Sequence, residues 1–219
     1  MTLDEERERR LRFDTGAAWL DLVASVGFAH GPRPTERMYD LDRLREWLAT
    51  ENLLPTAELT ETDLDLARDL RQTLRELAEA VVATTETKHT DDRIVPRKAD
   101  GRTTSSTTNR TDDRIVLPKG ITARLNEVLA AEVPLTVRIN RSGVLTTSRP
   151  ATVREALARV ARQAVEHLTG PVAATVRACA DHDCTTMFID PGGRRRWCSA
   201  ETCGVRNRVR AHRERQRAT

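Results

Sequence analysis

No cysteine occurs before residue 179, no run of 18 apolar residues occurs anywhere, and aromatic residues make up only 3% of the 219-residue chain. Each shortage excludes something. Without a long apolar run there is no transmembrane helix. Residues 1–12 alternate acids and bases with no apolar stretch, so no secretory signal is expected and a cytoplasmic protein with reduced thiols is. Scarce aromatics leave few platforms on which single-stranded RNA bases could stack. Catalytic constellations are missing too: there is no Ser/His/Asp set, no glycine-rich phosphate loop and no His-Glu-x-x-His. The five histidines (30, 89, 167, 182 and 212) are scattered. His167, near the end of an amphipathic helix, is favoured there as a cation by the helix dipole. The chain is not expected to be an enzyme.

Charge is plentiful but uneven. The chain has 36 Lys+Arg against 33 Asp+Glu, a net of +3. Residues 194–219 alone carry nine arginines and two acids, a net of +7, which leaves the rest at −4. Such asymmetry suggests a basic interaction tail on an acidic body.

The first half reads as helices. Trp19, Leu22, Val23 and Val26 fall at helical spacing within 15–29, ended by Gly27, Gly31, Pro32 and Pro34. Asp40 can cap a second helix bearing Leu41, Leu44, Trp47 and Leu48. Thr60 with Asp63 resembles a capping box, opening a longer helix with Leu64, Ala67, Leu70, Leu74, Leu77 and Val81 on its core face. From 84 to 114 the pattern becomes polar, and Thr-Asp-Asp-Arg-Ile-Val occurs twice, at 90–95 and 111–116; a flexible linker is expected. A helix near 118–129 follows. Leu135, Val137 and Ile139 then alternate with polar residues before Arg141-Ser142-Gly143, which predicts a β-hairpin returning through 144–147. Pro150 precedes the clearest amphipathic helix, with Val153, Leu157, Val160, Ala161, Ala164, Val165 and Leu168, stopped by Gly170-Pro171. The expected fold is mostly α with a small β-hairpin (α+β). A helical domain occupies 1–170, and a small cysteine module ending in a basic helix occupies 171–219.

All four cysteines lie in that module. Cys179/Cys184 and Cys198/Cys203 are two C-x4-C pairs thirteen residues apart, each able to supply two sulfurs from one turn. Four thiolates with no open position favour one structural Zn2+; an iron–sulfur cluster or disulfides would also use four cysteines. Roughly 45 residues bury too little apolar surface to fold alone, and zinc contributes on the order of 10–16 kcal/mol in small finger peptides. Between the pairs, 186–190 reads as a strand, Pro191-Gly192-Gly193 as a turn, and 194–197 as its return. His182 is read as a solvated loop residue, with replacement of one sulfur ligand as the alternative.

Beyond Gly204, Arg206, Arg210, Arg213 and Arg217 recur at i, i+4, i+7 and i+11, one helical stripe. Val205, Val209 and His212 occupy a neighbouring face, where the two valines can pack on the metal module and leave the arginines pointing outward. Arginine forks suit phosphate oxygens and guanine, and Asn207 could pair with adenine. Arg206, Asn207, Arg208, Arg210, Arg213 and Arg217 are the candidate nucleic-acid contacts. A solvated charged helix, or an arm for RNA or an acidic protein, is the alternative.

At Arg195-Arg196-Trp197-Cys198-Ser199 and Cys203-Gly204-Val205-Arg206 the chain resembles the CGNR zinc-finger family, bacterial proteins in which an ABATE domain precedes the finger. Phe188-Ile189-Asp190 matches that family's Phe-x-Asp strand. Leu20-Asp21-Leu22-Val23-Ala24-Ser25 is similar to the opening Leu-Asp-Phe-Val-Asn-Thr of ABATE domains. The resemblance implies a zinc-containing, DNA-binding transcription regulator, often described as stress-related. Val205 and Ala24 stand where the family patterns have asparagine, so neither asparagine's role carries over. Duplex DNA is the expected partner, with a homodimer or a small-molecule effector served by the helical body.

Overall fold

The structure is a computed structural model that describes residues 9–31, 33–91 and 117–217, with the side chains of 85–91 not described. Among the described residues there are six α-helices: α1 (Ala18–Val23), α2 (Leu41–Thr50), α3 (Glu61–Asp91), α4 (Ile121–Leu129) and α5 (Val153–Thr169) around the main core, and α6 (Val205–Arg217), which buries none of its residues, behind the cysteine module. Three antiparallel strand pairs accompany them: β1 (Val26–Gly27) with β2 (Thr35–Glu36), β3 (Val137–Ile139) with β4 (Leu145–Thr147), and β5 (Val176–Ala178) with β6 (Met187–Ile189). This is the expected α+β class. No helix among the described residues is long and apolar enough to cross a membrane.

Local chemistry starts the helices where the sequence places their caps. The Asp40 side chain accepts from the Arg43 N–H at 2.9 Å. Thr60 and Asp63 close a reciprocal box, Thr60 N donating to Asp63 Oδ2 at 2.9 Å and Asp63 N to Thr60 Oγ1 at 3.4 Å. Thr152, two residues after Pro150, caps α5, accepting from Glu155 N, while the Glu155 carboxylate accepts from Ala151 N. The buried faces of α3 and α5 sandwich α1, whose Trp19, Leu20, Leu22 and Val23 are all inaccessible. Because α1 is enclosed on every side, its polar members need internal partners. Asp21 accepts from both Thr15 N and Thr15 Oγ1, and Trp19 Nε1 donates to His167 Nδ1 at 3.1 Å. His167, in the last turn of α5, thus ties that helix to α1.

The first helix is shorter than the predicted 15–29. Arginines stop it by capturing backbone carbonyls: Arg75 donates to Val23 O and Val26 O, and Arg37 to Ala24 O. These bonds satisfy carbonyls that a helix end leaves without an intrahelical partner. Gly27 makes room for this, since a Cβ there would lie 2.6 Å from Arg37 Nη2. At the other extreme, α3 runs through residue 91, past the expected break at 84. The rest of the predicted linker, with all of its duplicated string beyond Asp91, lies outside the described residues.

The predicted hairpin forms as β3–β4, its turn held by Asn140 Oδ1 accepting from Ser142 N and Val144 N. Its apolar side chains stay exposed, Ile139 at 72% and Leu145 at 69%. In the cysteine module β6 pairs with β5, upstream of the first cysteine, not with 194–197 as the sequence suggests. Asp190 explains the difference: its carbonyl accepts from Gly193 N and its carboxylate from Arg195 N, so the chain bends away from β6. The returning segment instead reaches Ala180, whose N–H donates to Arg196 O.

Candidate metal centre and basic helix

Two tight turns present the sulfurs. Cys179 N donates to Thr186 O and Cys184 N to Asp181 O, which closes the first turn between β5 and β6. In the second, the Ser199 hydroxyl accepts from Glu201 N and Thr202 N at the head of a wide π turn, Ala200–Gly204. Gly204 lies where a Cβ would come within 3.3 Å of Trp197 Cδ1 and 3.4 Å of Ser199 O. Cys179, Cys198 and Cys203 are buried and Cys184 half-buried, with Phe188 and Trp197 packed around them as a separate small core.

All four sulfurs lie within 4.8 Å of one another, and the Cys184–Cys198 and Cys198–Cys203 Sγ distances are both 3.6 Å. A tetrahedral zinc with Zn–S bonds of about 2.3 Å requires sulfurs about 3.8 Å apart. The observed spacing fits one ion, and it is far longer than a disulfide bond of about 2.05 Å. Hydrogen bonding from Cys179, aided by the charge of Arg12, pulls Cys198 down to about 7. Hydrogen bonds with its three sulfur neighbours push the Cys203 thiol up. His182 stays outside the sulfur set, with its side chain 74% exposed.

Arg12 is the residue that sequence reasoning missed. Its Nη1 donates to Cys198 Sγ at 3.0 Å and its Nη2 to Cys198 O at 3.2 Å, from 186 positions away. Four thiolates and one Zn2+ sum to a double negative charge, which a guanidinium at 3.0 Å offsets. Arg195 Nη2 adds a bond to Cys198 O, its guanidinium lying 4.4 Å from the Phe188 ring centre. The finger also docks on the helical body through Ile189 N to Thr15 O, Ala29 N to Thr185 Oγ1 and Arg75 to Thr185 O.

Helix α6 leaves the π turn directly, and the first half of its arginine stripe turns toward the module instead of outward as the sequence suggests, while Arg213 and Arg217 are exposed. Arg206 Nη1 reaches Asp181 Oδ2 at 3.3 Å, and Arg210 Nη1 reaches Asp181 Oδ1 at 3.2 Å. Arg210 Nη2 also pairs with Asp183, whose carboxyl it holds below the ordinary range. The Asp181 side chain is fully buried. The Arg206 guanidinium lies 5.4 Å from the Phe28 ring centre. Meanwhile Val205 and Val209, expected to pack on the module, are 42% and 41% exposed. Charge decides this outcome: two carboxylates in the first cysteine turn offer the arginines partners that the valines cannot use. Asn207 Nδ2 donates to Cys203 O at 2.9 Å, holding the turn, and Arg208 donates to Ala200 O at 3.4 Å. Arg208, Arg213, Arg215 and Arg217 lie on exposed positions of the helix, and Arg194 and Arg196 are exposed on the neighbouring loop.

A four-cysteine knuckle with a basic helix behind it defines a zinc-finger protein, and residues 175–216 match the CGNR zinc finger. Residues 16–171 match the ABATE family, described as a "putative stress-induced transcription regulator". That match spans well over half of the chain, and the chain belongs to the ABATE family, with one structural zinc site in its CGNR finger. No curated protein matches it significantly.

Proposed function

We propose that this family member regulates transcription by binding duplex DNA through α6 and the loop at 194–196, with zinc holding both in one rigid unit. The observation that carries the reading is the division among the arginines. Arg12, Arg206 and Arg210 are half-buried against sulfur and carboxylate groups, whereas Arg194, Arg195, Arg196, Arg208, Arg213, Arg215 and Arg217 are exposed on the same metal-tied module, Arg195 and Arg208 each keeping one bond to a backbone carbonyl. Exposed guanidinium groups concentrated on one small unit suit a polyanion. Single-stranded RNA is a poorer fit, because Phe188 is buried and the Arg196 guanidinium lies 4.9 Å from the Trp197 ring centre. The reading includes no catalytic step and a cytoplasmic location. It leaves dimerisation or reception of a signal to the helical body. A small-molecule effector would have the cleft of about 670 Å³ where Arg10, Phe28, Arg37 and Arg206 meet between body and finger.

The test is removal of the metal. Zinc content is measured on the purified full chain, and duplex binding is followed by gel shift before and after chelation, then after adding zinc back. The expected result is one zinc per chain, loss of the shifted band with chelator and its recovery with metal. Duplex affinity that survives complete stripping would overturn the proposal.

A further inference from the structure

The outward face of α6 carries a pattern that the arginines conceal. At 100° per residue, Val205, Val209, His212 and Gln216 form one row at i, i+4, i+7 and i+11. All four are exposed, and the row points away from Arg206, Asn207 and Arg210, which face the metal module. Arg208 and Arg215 flank the row on one side, Arg213 and Arg217 on the other. An uncharged central row between two cationic rows is what a helix in a major groove needs. The groove is about 12 Å wide and admits one helix, whose midline meets base edges while its flanks approach the two phosphate backbones. From Val205 to Gln216 the row runs about 16 Å, or four to five base pairs at 3.4 Å each.

We infer that Val205, Val209, His212 and Gln216 read the bases of the bound site, while the flanking arginines set position and affinity. The assignment rests on the duplex-DNA reading above and adds to it where specificity resides. Valine methyl groups fit against the thymine C5-methyl, and the Gln216 amide matches adenine N6/N7 as a two-bond pair. His212 offers a ring N–H to a purine N7. The reading therefore commits to A·T pairs opposite Val205, Val209 and Gln216. A membrane surface is the weaker fit to the same row, since an interfacial helix buries large apolar side chains and His212 and Gln216 would lose hydrogen bonds there.

The experiment compares three zinc-loaded full-length chains: the natural sequence, Val209→Ser/His212→Ala/Gln216→Ala, and Arg213→Ala/Arg217→Ala. Each selects from a randomised duplex library at fixed salt, and the affinity of each for one unselected duplex is measured in parallel. The natural chain is expected to enrich a motif containing A·T pairs. The central-row variant is expected to keep its affinity for the unselected duplex within about threefold while losing at least tenfold in preference for that motif. The arginine variant is expected to weaken on every duplex and keep the motif. If the central-row variant enriches the natural motif unchanged, or the natural chain binds duplex without preference, the assignment fails and the DNA reading stands. If the natural chain binds no duplex at all, the DNA reading fails and takes the assignment with it.

Discussion

Replacing Arg213 and Arg217 together with alanine is expected to weaken the proposed duplex binding differently from replacing Arg206 and Arg210, and salt dependence is expected to expose the difference. Each phosphate neutralised by a protein cation contributes about −0.9 to the slope of log affinity against log salt. If six of the exposed arginines, those at 194, 196, 208, 213, 215 and 217, each meet one phosphate, the slope is about −5. Affinity then falls about 10³-fold between 50 and 200 mM salt. Losing Arg213 and Arg217 reduces the slope to about −3.5 and the fall to about 10²-fold. Arg206 and Arg210 already spend their charge on Asp181 and Asp183. Their joint replacement is expected to leave the slope within half a unit of the natural one and to lower the thermal midpoint of the finger, because the buried Asp181 loses both of its guanidinium partners. Fluorescence anisotropy with one labelled duplex at five salt concentrations supplies the slopes. An equal reduction for both pairs would refute the division between locked and exposed arginines.

Two further outcomes concern the helical body. Burial pushes the Asp21 carboxyl from 3.8 up to about 7 despite its hydrogen bonds from Thr15, so the unfolded chain releases a proton that the folded chain keeps between those values. Stability from this group is present below pH 4 and lost as pH rises to about 7, a difference on the order of 4 kcal/mol at roughly 1.4 kcal/mol per unit. Asp21→Asn keeps an acceptor for Thr15 without the charge, so urea unfolding is expected to show the variant gaining on the natural chain between pH 4 and pH 8; the same difference at both pH values would contradict this. Ile139→Thr/Leu145→Thr is expected to change unfolding free energy by no more than about 0.5 kcal/mol, since both side chains are mostly exposed on the β3–β4 ribbon. A loss of 2 kcal/mol in dilute solution would mean that those side chains are covered.

Features carried by residues close in sequence were legible before the fold was known. Asp40 and the Thr60/Asp63 box cap their helices as read, the hairpin at 137–147 forms, and the four cysteines converge. What escaped depends on partners far apart in the chain. No local pattern announces that Arg37 and Arg75 will take the carbonyls after α1, or that Arg12 will meet Cys198. The orientation of α6 is an intermediate case. Periodicity establishes that Arg206, Arg210, Arg213 and Arg217 share a stripe, but a stripe has no intrinsic direction. The deciding signal lies in Asp181-His182-Asp183, where two acids flank a histidine between metal ligands.

Those carboxylates link the metal to the helix phase. Asp181 lies two residues after Cys179 and three before Cys184, so the turn that delivers two sulfurs also delivers the carboxylate that holds Arg206 and Arg210. Asn207 ties the same helix to the carbonyl of Cys203, a ligand of the second turn. Zinc thus constrains α6 from both knuckles at once, and two constraints on one helical turn fix its rotation as well as its position. A rotation of 100°, one residue of phase, would bring an arginine row to the centre of the outward face in place of Val205, Val209, His212 and Gln216. Sequence-selective contact requires those side chains at the midline, whereas attraction to phosphate does not. The metal therefore bears more heavily on the choice of site than on charge attraction alone, and partial loss of zinc is expected to erode specificity before it erodes affinity.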